Sequence, residues 1–286
     1  MSKLIEIRRR IKSTKNIRQI TKAMEMVSAV KLQHDQVLLN INKKYIDNLE
    51  DTIKRIITYK EDLNNIEPKN SLIVVITPTK GFVGPLVINL EKKVRELINN
   101  NKSKKFSIIG VEKKSLSFIF SLNIDVLAQL SLDSNKIDDI YNISDIVLNE
   151  IENKKIDEVF VVYTKFINVI SNQIVAEKIY PIENKKEDID SLYYIKEKDP
   201  NSPSIYDLET NFEQLYKDAI DIYIPSKIQS CIIEASTSEN AIRMITMRNS
   251  SDNAQELNKY LVFESNKIRQ SSITQEVIEI SSAANI

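Results

Sequence analysis

Few side chains in this chain have the chemistry for catalysis or metal binding, and they stand apart. His34 is the only histidine and Cys231 the only cysteine among 286 residues. An internal disulfide, a cysteine-based zinc site and a multi-histidine metal centre are therefore excluded. One His and one Cys leave few nucleophile–base pairs, and no catalytic constellation emerges. His34 reads as a partly exposed helix residue. Asp138 and Asp139 fall beside an amphipathic stretch, where solvated carboxylates are the expectation. The turn Thr77-Pro-Thr-Lys-Gly-Phe-Val-Gly84 follows a strand-like run, the place where phosphates often sit. Its glycines, Gly81 and Gly84, are spaced GxxG; neither GxGxxG nor the P-loop spacing is present. Pro85 removes an N–H that a phosphate would use. A structural turn is the expectation, with no cofactor and no metal.

The elements around these residues are unusual. Residues 1–67 and 226–286 contain neither Gly nor Pro. These are the main helix breakers, so each stretch predicts one long helix. A 55-residue helix spans roughly 80 Å, more than a globular domain needs. The first helix runs from about Ser2 into the fifties. Its apolar residues Leu4, Ile7, Ile11, Ile17, Ile20, Met24, Val27, Leu38, Ile41, Tyr45, Leu49, Ile53 and Ile56 are mostly three or four apart. The repeat slips near Thr14 and His34, which predicts an imperfect coiled-coil seam. The second long helix begins at Pro225, after a bend from an earlier helix over about 207–223. Its polar stretch NSSDNAQE, 249–256, offers no apolar face and calls for an outside partner.

Between the ends lies an α/β pattern, from about Ser71 to Pro200. Strands are expected at 71–77, 106–111, 124–129 and 158–163, and helices at 86–99, 114–121 and 137–152. A last strand over 169–182 would pair antiparallel with its predecessor. The fold class is thus mixed: a long antiparallel coiled coil of N- and C-terminal helices with an inserted Rossmann-like α/β domain. The domains are 1–60 with 207–286 as shaft and 71–200 as globular insert.

Hydrophobic residues make up 42%, charged residues 28%, and formal net charge is zero. No apolar run approaches the length of a membrane span, and the charged start MSKLIEIRRRIKS lacks a signal-peptide core. Locally the balance shifts. Lys3, Arg8, Arg9, Arg10, Lys12, Lys15, Arg18, Lys22 and Lys31 face only Glu6 and Glu25 within the first 31 residues. A solvated face, a surface for an acidic protein partner, and a nucleic-acid surface all fit these charges. So three functions stand side by side: a mechanical shaft, a free-standing coiled-coil binding module with a basic helix, and a nucleotide-binding enzyme using the insert.

Motifs in the two ends separate them. Residues 11–32, IKSTKNIRQITKAMEMVSAVKL, strongly resemble the N-terminal helix of the gamma subunit of F-type ATP synthase. ASTSENAIRM (235–244), MRNSSDNA (247–254) and NKIRQSSITQEVIE (266–279) resemble its C-terminal helix. The order helix, α/β insert, helix also matches, so the resemblance covers essentially the whole chain. It implies a non-catalytic central rotor shaft that couples ion-driven c-ring rotation to cycling of the beta catalytic sites. The implied partners are the alpha and beta subunits of an alpha3beta3 ring, the epsilon subunit and the c-ring. No direct nucleotide, no nucleic acid and no cofactor are implied, and the membrane is met only through the Fo sector. The implied location is the cytoplasmic face of a bacterial inner membrane, as a peripheral protein. By motif position, Met24 with its neighbour Lys22, and Arg243, Gln270, Thr274, Glu276 and Glu279, would form the rotor–stator interface. One departure is local: the family's turn, close to RGLCGGLN, is KGFVGPLVIN here.

Overall fold

The computed structural model describes residues 2–58, 68–132, 137–182 and 212–283. The chain divides into two compact units, Met1–Leu32 with Asn240–Ile286, and Gln33–Glu239. Two helices run through both: α1, Ser2–Thr58, and α5, Phe212–Ala283.

In the larger unit the elements between them are β1 (Asn70–Ile76), α2 (Leu86–Asn100), β2 (Lys105–Val111), α3 (Leu116–Ile119), β3 (Asp125–Leu130), α4 (Ile137–Glu152), β4 (Glu158–Phe166) and β5 (Asn172–Tyr180). Short 3-10 turns flank α3, so the helix expected over 114–121 is instead a mixed turn of helix. The sheet order is β3-β2-β1-β4-β5. β1 pairs in parallel with β2 and β4, β2 with β3, and β5 closes the edge antiparallel to β4. The central β1 explains its own composition: Leu72, Ile73, Val74, Val75 and Ile76 are all buried, because helices cover both faces of a parallel sheet. Leu72, Val74 and Ile76 enter a core with Ile143 and Val147 of α4, Ile53 of α1, and Ile220, Tyr223, Ile224 and Ile228 of α5. Within this unit α1 and α5 run antiparallel: Glu50 meets Tyr223 and Lys227, and Asp35 meets Ser236.

No new helix starts at Pro225; α5 passes through it as one continuous helix. A helix-interior proline costs about 3 kcal/mol. The fully buried Ile224 and Ile228 flank it, and burying each such side chain returns about 1.5–3 kcal/mol. The expected start at 207 lies outside the described residues.

The seam also differs from expectation. On α1, Ile7, Thr14, Ser28, Leu32, Ile46 and Ile53 are buried, with Ile11, Thr21, Glu25, Asp35, Asn42 and Leu49 half-buried on the same stripe. This is a heptad interrupted only at the exposed Arg18, and Thr, Ser, Asp and Asn fill most of one of its two seam positions. Several apolar residues assigned to the stripe face outward instead: Ile17, Ile20, Val27, Ile41 and Tyr45. The polar stretch 249–256 behaves alike. Ser251 and Ala254 are buried there, in step with Met247 and Leu261. Small side chains form a seam that an apolar count overlooks.

Candidate functional site

Two places in the chain concentrate unusual chemistry. The first is the carboxyl edge of the sheet. β1 ends at Ile76 and the chain turns through Pro78 to Gly84, with positive φ at Phe82 (64°) and Gly84 (59°). Two backbone N–H groups of this turn point at one acceptor. Thr79 N donates to Glu239 Oε2 at 3.0 Å and Lys80 N to Glu239 Oε1 at 3.2 Å. The carboxylate belongs to α5 and is buried. Beside it, Ser238 Oγ donates to the Thr164 carbonyl at 3.0 Å, and Phe166 N donates to Glu234 Oε1 at 3.3 Å. Glu112 faces the same cavity, accepting from Leu132 N at 3.2 Å. Burial, reinforced by the charge of Glu239, pushes the Glu112 carboxyl above the usual range against the pull of that N–H.

About two helical turns before Glu234, an ion network binds α5 to α1 and the sheet. Lys227 Nζ lies 2.7 Å from Glu50 Oε1 and 2.8 Å from Glu177 Oε1. Tyr163 OH donates to Glu177 Oε2 at 2.7 Å. Burial alone would raise the Glu177 carboxyl, but the Lys227 charge outweighs it and holds it below the usual range. Cys231 is buried among these groups, and burial pushes its thiol well up. None of this was visible as a motif. Glu50, Glu177, Lys227, Glu234 and Glu239 look like ordinary solvated charges until the fold brings them together.

The second place is the smaller unit, which holds all seven residues singled out in the sequence. Lys22 is exposed and pairs with Glu25 at 2.9 Å. Met24 is half-buried. Lys22 also lines a shallow groove on α1 with Lys15, Arg18 and Met26. Arg243 is buried, its Nη1 donating to Asn240 Oδ1 at 3.2 Å. Gln270, Thr274, Glu276 and Glu279 lie on a stretch, 269–282, that is exposed at every position. Thr274 Oγ1 donates to the Gln270 carbonyl at 2.9 Å. His34, in the larger unit, is exposed, with Nδ1 3.4 Å from Asp35 Oδ1.

Comparison with known proteins gives the family. The family model described as ATP synthase matches residues 3–286. A protein of a Roseiflexus species, named ATP synthase gamma chain, is 31% identical, covering 98% of this chain and 96% of its own length. The chain belongs to the ATP synthase gamma-chain family. A gamma chain of Clostridium botulinum is 34% identical over 97% of this chain and 95% of its own. Solved structures share the fold of this family member. A chain of the Euglena gracilis mitochondrial ATP synthase assembly containing OSCP, F1 and the c-ring matches with TM-score 0.68 at 18% identity, over 99% of this chain and 94% of that one. A chain of the Tetrahymena thermophila central stalk and c-ring matches with TM-score 0.61 at 23% identity, over 81% and 99%.

Proposed function

We propose that this chain is the central rotor shaft of an F-type ATP synthase, coupling ion-driven rotation to the conformational cycle of catalytic sites on other subunits. It is a non-catalytic subunit. The observation that carries the reading is the stretch 269–282. Ile273, Val277, Ile278 and Ile280 are each at least half exposed there, on more than one face of the helix. Ile273, Val277 and Ile280 share one stripe and Ile278 stands about 100° off it, so a single partner helix would leave part of this apolar surface open, whereas a surrounding sleeve would cover it. An alpha3beta3 ring is such a sleeve. The residues taken as touching it are Lys22, Met24, Arg243, Gln270, Thr274, Glu276 and Glu279. The shaft is assigned to 1–60 with 207–286 and the globular part to 71–200, which would meet epsilon and the c-ring.

Among the described residues no helix is long and apolar enough to cross a membrane. A peripheral place on the Fo sector, at the cytoplasmic face of a bacterial inner membrane, agrees with that. The test is co-expression with alpha and beta subunits, followed by mass determination and an ATPase assay. One copy of this chain per three alpha–beta pairs in an active complex is expected. A chain that stays apart while alpha and beta assemble would end the reading.

A further inference from the structure

We propose that Glu239 is a positioning residue of the rotor: its carboxylate fills the anion position at the carboxyl edge of the sheet and so locks α5 to that edge for torque transfer. The proposal rests on the rotor reading above.

In doubly wound sheets, ligands sit outside the carboxyl ends of the strands, where the strand order reverses. Here the order β3-β2-β1-β4-β5 puts that reversal between β1 and β4. The turn that follows β1 presents two backbone N–H groups at this point, the usual means of holding a phosphate. Both donate to Glu239, one to each oxygen. The remaining cavity, lined by Thr77, Thr79, Glu112, Thr164 and Ser236, is about 40 Å³. A ligand position has become a joint within the chain.

The bonds suit a joint under load. Apolar contacts resist separation but slide easily, because they are non-directional. Hydrogen bonds to a charged acceptor are strong and set by angle. Glu234, Ser238 and Glu239 fasten α5 to the end of β4 and to the turn after β1 with four hydrogen bonds, three of them to a carboxylate. α5 continues as helix beyond Glu239 to Ala283, so a twisting force that reaches α5 through these bonds is carried along it.

The test uses the complete ATP synthase complex carrying wild-type chain, Glu239→Gln or Glu239→Ala, in sealed vesicles. Gln keeps the side-chain size but offers one acceptor oxygen and turns an NH2 group against an N–H. Assembled yield, ATP hydrolysis per complex and ions pumped per ATP are measured. Both variants should hydrolyse ATP within about twofold of wild type and pump at least about threefold fewer ions per ATP. Without a gradient, formate should raise the melting temperature of the Glu239→Ala complex by about 2 °C or more by occupying the vacated N–H groups, and leave wild type unmoved. A purely structural role lowers the yield but leaves ions per ATP unchanged, and that result overturns the lock. A formate-insensitive Glu239→Ala overturns the anion position. If Ala prevents assembly, the Gln variant decides the lock. A wild-type complex that fails to assemble or pump strikes the rotor reading instead.

Discussion

Lys227 stands between two carboxylates, and its worth depends on both. Glu50 and Glu177 keep 27% and 33% of their side-chain surface open, so solvent screens the pair in part. Replacing Lys227 by Met should cost about 2–3 kcal/mol, below the ~3–5 of a fully buried pair, because it leaves two acids facing each other. Urea unfolding at neutral pH measures this. The pH dependence follows from Glu177, held below its ordinary value near 4.5. The stability it adds is complete above about pH 4.5 and is lost as pH falls through its lower folded value. That loss should be absent in Lys227→Met. Glu112 and Glu234, both raised by burial, act with the opposite sign: they oppose folding at neutral pH and do so less as pH falls. The Glu177 contribution is therefore read from the difference between variant and wild type. Cys231 gives a simpler expectation. A buried thiol pushed up this far should resist iodoacetamide in the native chain and react only after unfolding, as mass spectrometry would register.

The helices and strands carry their own tests. Pro225 interrupts the α5 hydrogen-bond ladder, and Ala would restore the missing bond. Pro225→Ala should stabilise the chain by about 2 kcal/mol, the helix-interior penalty less the ordering that proline gives the unfolded state. Gly110 in β2 is the reverse case. A Cβ there would meet Ser115 Oγ at 2.6 Å and Ile119 Cδ1 at 2.7 Å, and would press on Gln129. Gly110→Ala should destabilise by about 1–3 kcal/mol in thermal or urea unfolding. The strands and helices of the insert were legible in sequence because β1, β2 and β4 carry β-branched runs bounded by turn residues, and α2 and α4 have one apolar face. The seam of α1 was not. Ile17, Ile20 and Val27 fit a helical stripe by spacing, yet they face outward, while Thr14 and Ser28 are buried. Hydrophobicity marks a side chain for burial without saying by whom. When part of the covering comes from other chains, the apolar pattern sums two surfaces and the inner seam drops out of it. The cluster around Glu239 was hidden for another reason: its partners are backbone N–H groups about 160 positions away, which no side-chain motif records.

For the chain taken as a unit of an assembly, the decisive contrast is between isolated and assembled states. Residues 269–282 have no buried side chain, so their amides should exchange quickly in the free chain. Hydrogen exchange followed by mass spectrometry should show protection of this stretch on assembly with alpha and beta subunits, with β1, β2 and β4 protected in both states. Protection already complete in the free chain would count against the sleeve. The same stretch bears on the rate of turning. Inside the proposed ring, a cylinder open on all sides would pass the same neighbours again and again, and any side chain that favours one of them would deepen a single angular well. Escape from that well slows tenfold for every 1.4 kcal/mol of added depth. Such a surface works best when each of its contacts is weak and nearly equal, so that smoothness, and not affinity, is what its side chains supply.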